Sequence, residues 1–452
     1  MEVPGTASGA DAAVGTSAAA RAAGVADVRR RPGVALWWRA FPRNARILTA
    51  TEPAWSVFGA YWGVYMPLYF TSLGAGAGLI GWISAWSYGL QAVCSLLGGQ
   101  LARRMRRIQI VTLFDFVSWI VPFILWLALP ALWVAVAAQL LTVVSMLVVP
   151  AWNALFLEDA APRQRAPLLN LFNLAIYAPA IVLPVLARLI HRDGLVPVTH
   201  WVFTYTLVAI GAAWLIRALT VRDSSLADTI RAHHAEAPPW EEYRPLVTAL
   251  LRPTALLVLA IGFCATARAI LWSTYLPLLL VNSNGLHLHG ASIVLLPAVG
   301  ALAVLVTGVL AMPHLNRDHP VGALVLGQLG ALASSLLIAL APAGHWWAVV
   351  LAWLLGAAAA AIIFPTQAAI WYNLFPREHY TALQAVTGSV GTLIAIPVGP
   401  LAGVLFTLAP RLPFWANVAL QTIGLVLTLA LLLRPPSPVA ADGAPTTVSP
   451  SV

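Results

Sequence analysis

The stretch Tyr61-Trp62-Gly63-Val64-Tyr65-Met66-Pro67-Leu68 returns as Leu271-Trp272-Ser273-Thr274-Tyr275-Leu276-Pro277-Leu278, each copy inside a long apolar run. The offset is 272 minus 62, or 210 residues, and Gly98 to Gly308 repeats it. Pro162 and Pro376 follow at 376 minus 162, or 214. Constant order with a drifting offset marks a duplicated unit whose loops changed length.

Both copies are built for lipid. The 452 residues are 60% hydrophobic and 9% charged, too little polar surface to coat a soluble particle of this size. A helical span needs about 20 apolar residues. About twelve such runs are predicted, near 47–73, 77–101, 108–129, 131–157, 167–190, 200–220, 253–281, 288–312, 320–341, 345–372, 381–408 and 412–433. Transmembrane strands would alternate apolar and polar residues. Leu351-Ala352-Trp353-Leu354-Leu355-Gly356-Ala357 is apolar all round and reads as helix.

All 25 basic residues are Arg. If the N-terminus is cytoplasmic, 21 of them fall in the N-terminal extension, the inward connections and the C-terminal tail, Arg217 counted among the connections. Only Arg188, Arg192 and Arg411 fall on the opposite side, and the positive-inside rule then places both termini in the cytoplasm. The net charge of +9 is thus a topology signal and implies no nucleic-acid partner. The expected organisation is a disordered extension over 1–45, a six-helix half over 46–220 and a cytoplasmic loop over 221–252. A second six-helix half over 253–434 and a disordered tail over 435–452 complete it. Cys94 and Cys264 lie inside apolar runs and read as packing residues.

Two parallel six-span halves, inward termini and a long central loop resemble the major facilitator superfamily across the whole apolar portion, an all-α membrane fold of twelve helices. That family's Gly-x-x-x-Asp-Arg-x-Gly-Arg-Arg motif is similar to Gly98-Gly99-Gln100-Leu101-Ala102-Arg103-Arg104-Met105-Arg106-Arg107, with Ala102 in place of the Asp and Met105 in place of the second Gly. The segment around Glu158, Asp159, Pro162, Arg163 and Arg165 resembles its acidic-Pro-Arg loop, and Phe375-Pro376-Arg377-Glu378 echoes it. The resemblance implies a cytoplasmic gate made of Gly98, Arg103, Arg106, Arg107, Glu158, Asp159, Arg163 and Arg165. It also implies that spans one and seven line a central cavity. Gln139 stands where many members keep an Arg in span four, and span five has Pro179 and Pro184 without the glycines of the drug/proton antiporter motif.

Ionisable residues at membrane depth cost several kcal/mol and are candidates for function. Glu52, Asp115 and Arg268 are the three expected there. Arg268, Trp272 and Tyr275 share one helical face at i, i+4 and i+7. Phe58, Trp62 and Tyr65 form the corresponding stripe in span one, and the two stripes are expected to meet across the pseudo-twofold axis. Arg268 is read as the polar anchor of the site, with Trp62, Tyr65, Trp272 and Tyr275 as walls and Asn153, Tyr177 and Gln367 as further contacts. Packing remains the alternative for each aromatic, and helix-to-helix hydrogen bonding for each amide. Glu52 is read as a proton-coupling carboxylate, or as an acid at a helix N-terminus. Asp115 is expected to pair with the neighbouring basic loop.

The function expected is secondary active transport of a small organic solute by alternating access. Export of an amphipathic or aromatic compound is preferred, and uptake of an organic anion is the alternative. A membrane enzyme acting on a lipid-linked substrate through Glu158, Asp159, Arg163 and Arg165 is a different reading, disfavoured by the short loops. Partners are the solute, the bilayer and protons as coupling ion, with a monomer expected and no cofactor or metal implied. Without any Lys, no nucleotide-binding Gly-x-x-x-x-Gly-Lys-Ser loop can be built.

Overall fold

A computed structural model describes residues 38–433 apart from 158, 161–163, 165–167, 169–170, 173–174, 177, 224–246, 249, 289–292, 294, 311–319 and 375–379. Each of the twelve apolar runs contains helix, and the described residues include no strand. The first run holds α1 (Arg43–Thr51) and α2 (Pro53–Ser72), and the second is α3 (Ala77–Arg104). The third comprises α4 (Arg107–Asp115), a π-helical turn (Phe116–Ile120) and α5 (Val121–Ala128). The fourth comprises α6 (Leu132–Val143), a 3₁₀ turn (Val144–Leu147) and α7 (Val149–Leu157). Then come α8 (Leu183–Asp193) and α9 (Leu195–Thr220). The second half holds α10 (Pro253–Thr274), α11 (Leu276–Val281), α12 (Leu295–Leu310), α13 (Pro320–Leu340), α14 (Trp346–Leu374), α15 (Tyr380–Ala395), α16 (Val398–Leu408) and α17 (Leu412–Leu433). Seven helical stretches are by themselves long and apolar enough to cross a bilayer, and the bent pair α6–α7 makes an eighth.

Several spans are broken, and in spans three, four and seven the break has a local cause. In span four the axis bends by 43°. Thr142 and Ser145 turn their hydroxyls back onto the carbonyls of Gln139 and Thr142, both at 2.7 Å, and Pro150 offers no N–H to the preceding turn. Span two passes this bend closely, since a Cβ on Gly98 would lie 2.9 Å from the Leu147 carbonyl oxygen. In span three the π turn follows Asp115 and precedes Pro122, whose missing N–H breaks the regular ladder. Span seven breaks at Tyr275, two residues before Pro277.

The outer surface shows which solvent these helices meet. Leu219, Leu408 and Val208 are about 70% exposed, as side chains facing hydrocarbon should be. Trp82, Trp133, Trp201, Trp347 and Trp415 are all exposed and lie within the first seven residues of their helices, at the end away from Arg43, Arg104 and Arg252. This is the aromatic belt of one membrane interface. At that same end Arg192 bonds Asp193 at 2.8 Å and holds its carboxyl below the usual carboxylate range. Cys94 and Cys264 are buried and unlinked.

Helix α1 begins at Arg43, directly after Pro42, and Asn44 donates to the Arg222 carbonyl at 2.7 Å, tying the start of the first half to its end.

Candidate functional site

At the Trp-bearing end the halves touch almost without side chains. A Cβ added to Gly399 would lie 2.5 Å from the Gly81 carbonyl oxygen, so α3 and α16 meet backbone to backbone. The break in span seven aims Tyr275 at this crossing. Its hydroxyl donates to the Gly399 carbonyl at 2.7 Å, with the Ala77 carbonyl at 3.3 Å, and bridges both halves. Ser84 and Thr274 add a hydroxyl pair at 3.3 Å.

A cavity of about 880 Å³ lies between the halves. Its first-half walls are Trp55, Phe58 and Trp62 on α2, Trp119 on the π turn, Trp152 and Asn153 on α7, and Phe172. Pro297, Gly300 and Ala301 on α12 and Trp353 on α14 close it from the second half. The bend in span four contributes Thr142, Ser145, Val148 and Val149 to the same wall.

One ionic cluster faces this space. Arg217, 4% exposed, donates through Nη2 to Glu52 Oε2 at 2.9 Å and through Nε to Thr51 Oγ1 at 2.7 Å. Nη2 also reaches the Leu48 carbonyl at 3.3 Å. Its guanidinium carbon sits 4.1 Å over the Trp55 ring. Nη1 faces Asp115 Oδ2 at 3.9 Å, too far for a hydrogen bond. Glu52, Trp55, Asp115, Trp119 and Arg217 thus come from spans one, three and six and all line the cavity.

This geometry corrects two expectations. Arg217 is no connection residue: the buried face of α9 runs Thr199, Val202, Thr206, Ile210, Ala213, Arg217, and the last position carries the guanidinium inward. Asp115 faces Arg217 and the cavity, where pairing with the basic loop was expected, because Arg217 on α9 points inward beside it.

Of the expected site residues, Trp62, Asn153 and Glu52 line the cavity. The two aromatic stripes share one buried apolar cluster, and the ring contacts found among the described residues run within each half. Phe58 and Trp62 interlock with Phe123, Trp126 and Phe203 inside the first half, Trp126 stacking on Phe203 at 4.8 Å, and Trp62 Nε1 donates to Gln139 Oε1 at 2.9 Å. Tyr65 stacks on Tyr61 at 4.9 Å in the same core. Arg268, Trp272 and Tyr275 are absent from the cavity wall. Arg268 sits 4.4 Å over the Trp272 ring, and Trp272 packs at 5.3 Å against Trp353, which does reach the cavity. Gln367 lines a second space of about 350 Å³ between α10, α14 and α15 and bonds the Val258 carbonyl at 3.0 Å.

Of the expected gate, Gly98 supports the span-four bend, Arg106 and Asp159 are exposed and Arg107 is buried. Tyr177, Glu158, Arg163, Arg165 and the Arg103 side chain lie outside the described residues. Trp55, Trp119 and Trp152 were not singled out from the sequence, where nothing separates them from other aromatics at helical spacing.

The sequence matches the Major Facilitator Superfamily over residues 54–342, well over half of the chain, and the protein belongs to that family. No curated protein matches the sequence. Solved structures share the fold: the nucleoside transporter NupG at 11% identity, covering 86% of this chain and 98% of that one, has a TM-score of 0.66. The E. coli xylose transporter XylE, in a partially occluded inward open conformation, is 14% identical over 86% and 98% with a TM-score of 0.62. The human organic anion transporter MFSD10 is 14% identical over 86% and 100% with a TM-score of 0.58. At these identities the likeness is one of fold alone; the family match and the long apolar helices make this chain an integral membrane protein.

Proposed function

We propose that this protein moves a small, largely apolar aromatic solute across the membrane by alternating access, with its Arg-rich end in the cytoplasm and export as the working direction. The observation that carries this reading is the cavity of about 880 Å³ between the halves, with Trp on three of its first-half spans and an ionic cluster at one side. A pocket of this kind holds a drug-sized ligand by apolar burial and orients it with a few polar groups. Proton coupling belongs to the cluster that contains Glu52, where two carboxylates share one guanidinium.

Uptake of an organic anion finds less support. The cavity's one cation among the described residues, Arg217, already bonds Glu52, and Arg268 lies behind Trp272. A catalytic reading based on Glu158, Asp159, Arg163 and Arg165 has only Asp159 among the described residues, exposed in a turn.

The test is flux in proteoliposomes holding the full chain, with aromatic amines, acids and neutral compounds presented under an imposed pH gradient. Accumulation of an unmodified solute that collapses with the gradient is expected. Absence of flux for every class would overturn transport, and flux indifferent to the gradient would overturn coupling.

A further inference from the structure

The cavity cluster does not balance. Glu52 and Asp115 would carry two negative charges against one on Arg217, and these are the charged groups among the described residues that line the cavity. An uncompensated charge out of water costs several kcal/mol, so the cluster must hold one more positive charge. Geometry says where. The Nε and Nη2 donors of Arg217 are committed to Glu52, Thr51 and the Leu48 carbonyl, on the first span, and Nη1 faces Asp115 without reaching hydrogen-bond distance. Asp115, 5% exposed, accepts no hydrogen bond among the described residues, and its closest cation is 3.9 Å away. Its carboxylate is nonetheless part of the cavity wall.

The groups around it suit one ligand chemistry. Trp119, one turn on, lines the cavity beside it and lies edge to face with Trp55 at 6.5 Å. Trp152 and Phe172, at 4.9 Å from each other, present further ring surface to the same space. A carboxylate beside aromatic faces attracts an organic cation both by charge and by the ring quadrupoles, and it repels an anion. We infer that Asp115 is the exchangeable acid of the cavity, holding a proton when the cavity is empty and the cationic centre of an aromatic amine or onium solute when it is filled. Glu52 is then the fixed partner that orients Arg217. This assignment rests on the transport reading of the cavity and names its substrate class.

The probe is tetraphenylphosphonium, an aromatic cation without a titratable proton, bound to the purified full chain and followed by calorimetry in buffers of different ionisation enthalpy. Binding is expected to release about one proton, and affinity to fall about ten-fold per pH unit once Asp115 is protonated, because proton and cation compete for one carboxylate. Asp115→Asn should weaken binding by about ten-fold or more and abolish the release, and Asp115→Glu should restore both. The proton count in the parent protein needs no variant and tests the inference even if Asp115→Asn fails to fold. Absence of binding, binding without proton release, unchanged affinity in a folded Asp115→Asn, or equal binding of tetraphenylborate would each overturn it. Flux of acids or neutral compounds without tetraphenylphosphonium binding would overturn the cation assignment alone, whereas absence of all flux would overturn transport itself.

Discussion

Two of the buried guanidiniums, Arg217 in the first half and Arg268 in the second, live under opposite conditions. Arg217 has two carboxylates, a hydroxyl, a carbonyl and a Trp face around it and stands at the edge of a cavity. Arg268 has the Trp272 face and one long bond of 3.4 Å to Ser334, and its Nε finds no hydrogen-bond partner. The contrast shows that depth in a membrane is a weak guide to role. Of the two, Arg217 alone lines the cavity beside carboxylates.

The sharpest way to break this contrast is Arg217→Ala, which leaves Glu52 and Asp115 buried beside each other. A loss of about 3–5 kcal/mol is expected, seen as a lowered thermal midpoint in detergent. A midpoint equal to the parent's would mean that the cluster is hydrated and the comparison empty.

Arg268→Met should act in the other direction. Removing a cation with no carboxylate beside it is expected to be neutral or to stabilise by about 1–4 kcal/mol, with solute affinity unchanged. Marked destabilisation would reveal a counter-charge or water at that site, and lost affinity would return Arg268 to the solute path.

Thr51→Val removes one charge-assisted bond from Arg217 and should cost about 1.5–3 kcal/mol. Ser334→Ala removes the single long bond of Arg268 together with the 2.7 Å bond from Ser334 to the Ala352 carbonyl, and should cost about 0.5–1.5 kcal/mol. Equal losses in this matched pair, read from thermal midpoints side by side, would erase the distinction between a held guanidinium and a loosely held one.

Most of the architecture was legible from the duplicated Trp-x-x-Tyr-x-Pro-Leu stretch, the apolar runs and the placement of Arg, because lipid forces every span to announce itself in composition. The breaks were less legible. Pro150 and Pro277 mark two of them, but the π turn after Asp115 depends on how span three meets its neighbours. Arg217 escaped because it lies three residues from the end of α9, where an Arg normally belongs to the loop; the Thr199, Thr206, Ala213 spacing was the available signal. The positions of Trp62 and Arg268 were read on the correct helices, whereas their neighbours depend on helix rotation, which a stripe of aromatics does not specify when both sides of the helix are apolar.

The crossing of Gly81 and Gly399 sets the mechanical advantage of the molecule. Backbone meets backbone at this pivot, with Ser84, Thr274 and Tyr275 beside it, so rolling one half against the other there rearranges few rotamers. From Gly81 to Arg104 helix α3 is an arm of about 35 Å at a rise of 1.5 Å per residue. A roll of about 10° at the pivot moves the far end by about 6 Å, a displacement in the range of helix movements that open and close binding sites. The Tyr275 hydroxyl, 3.3 Å from the Ala77 carbonyl of the other half, and the Ser84–Thr274 hydroxyl pair then act as catches beside the pivot, where a given roll stretches them least.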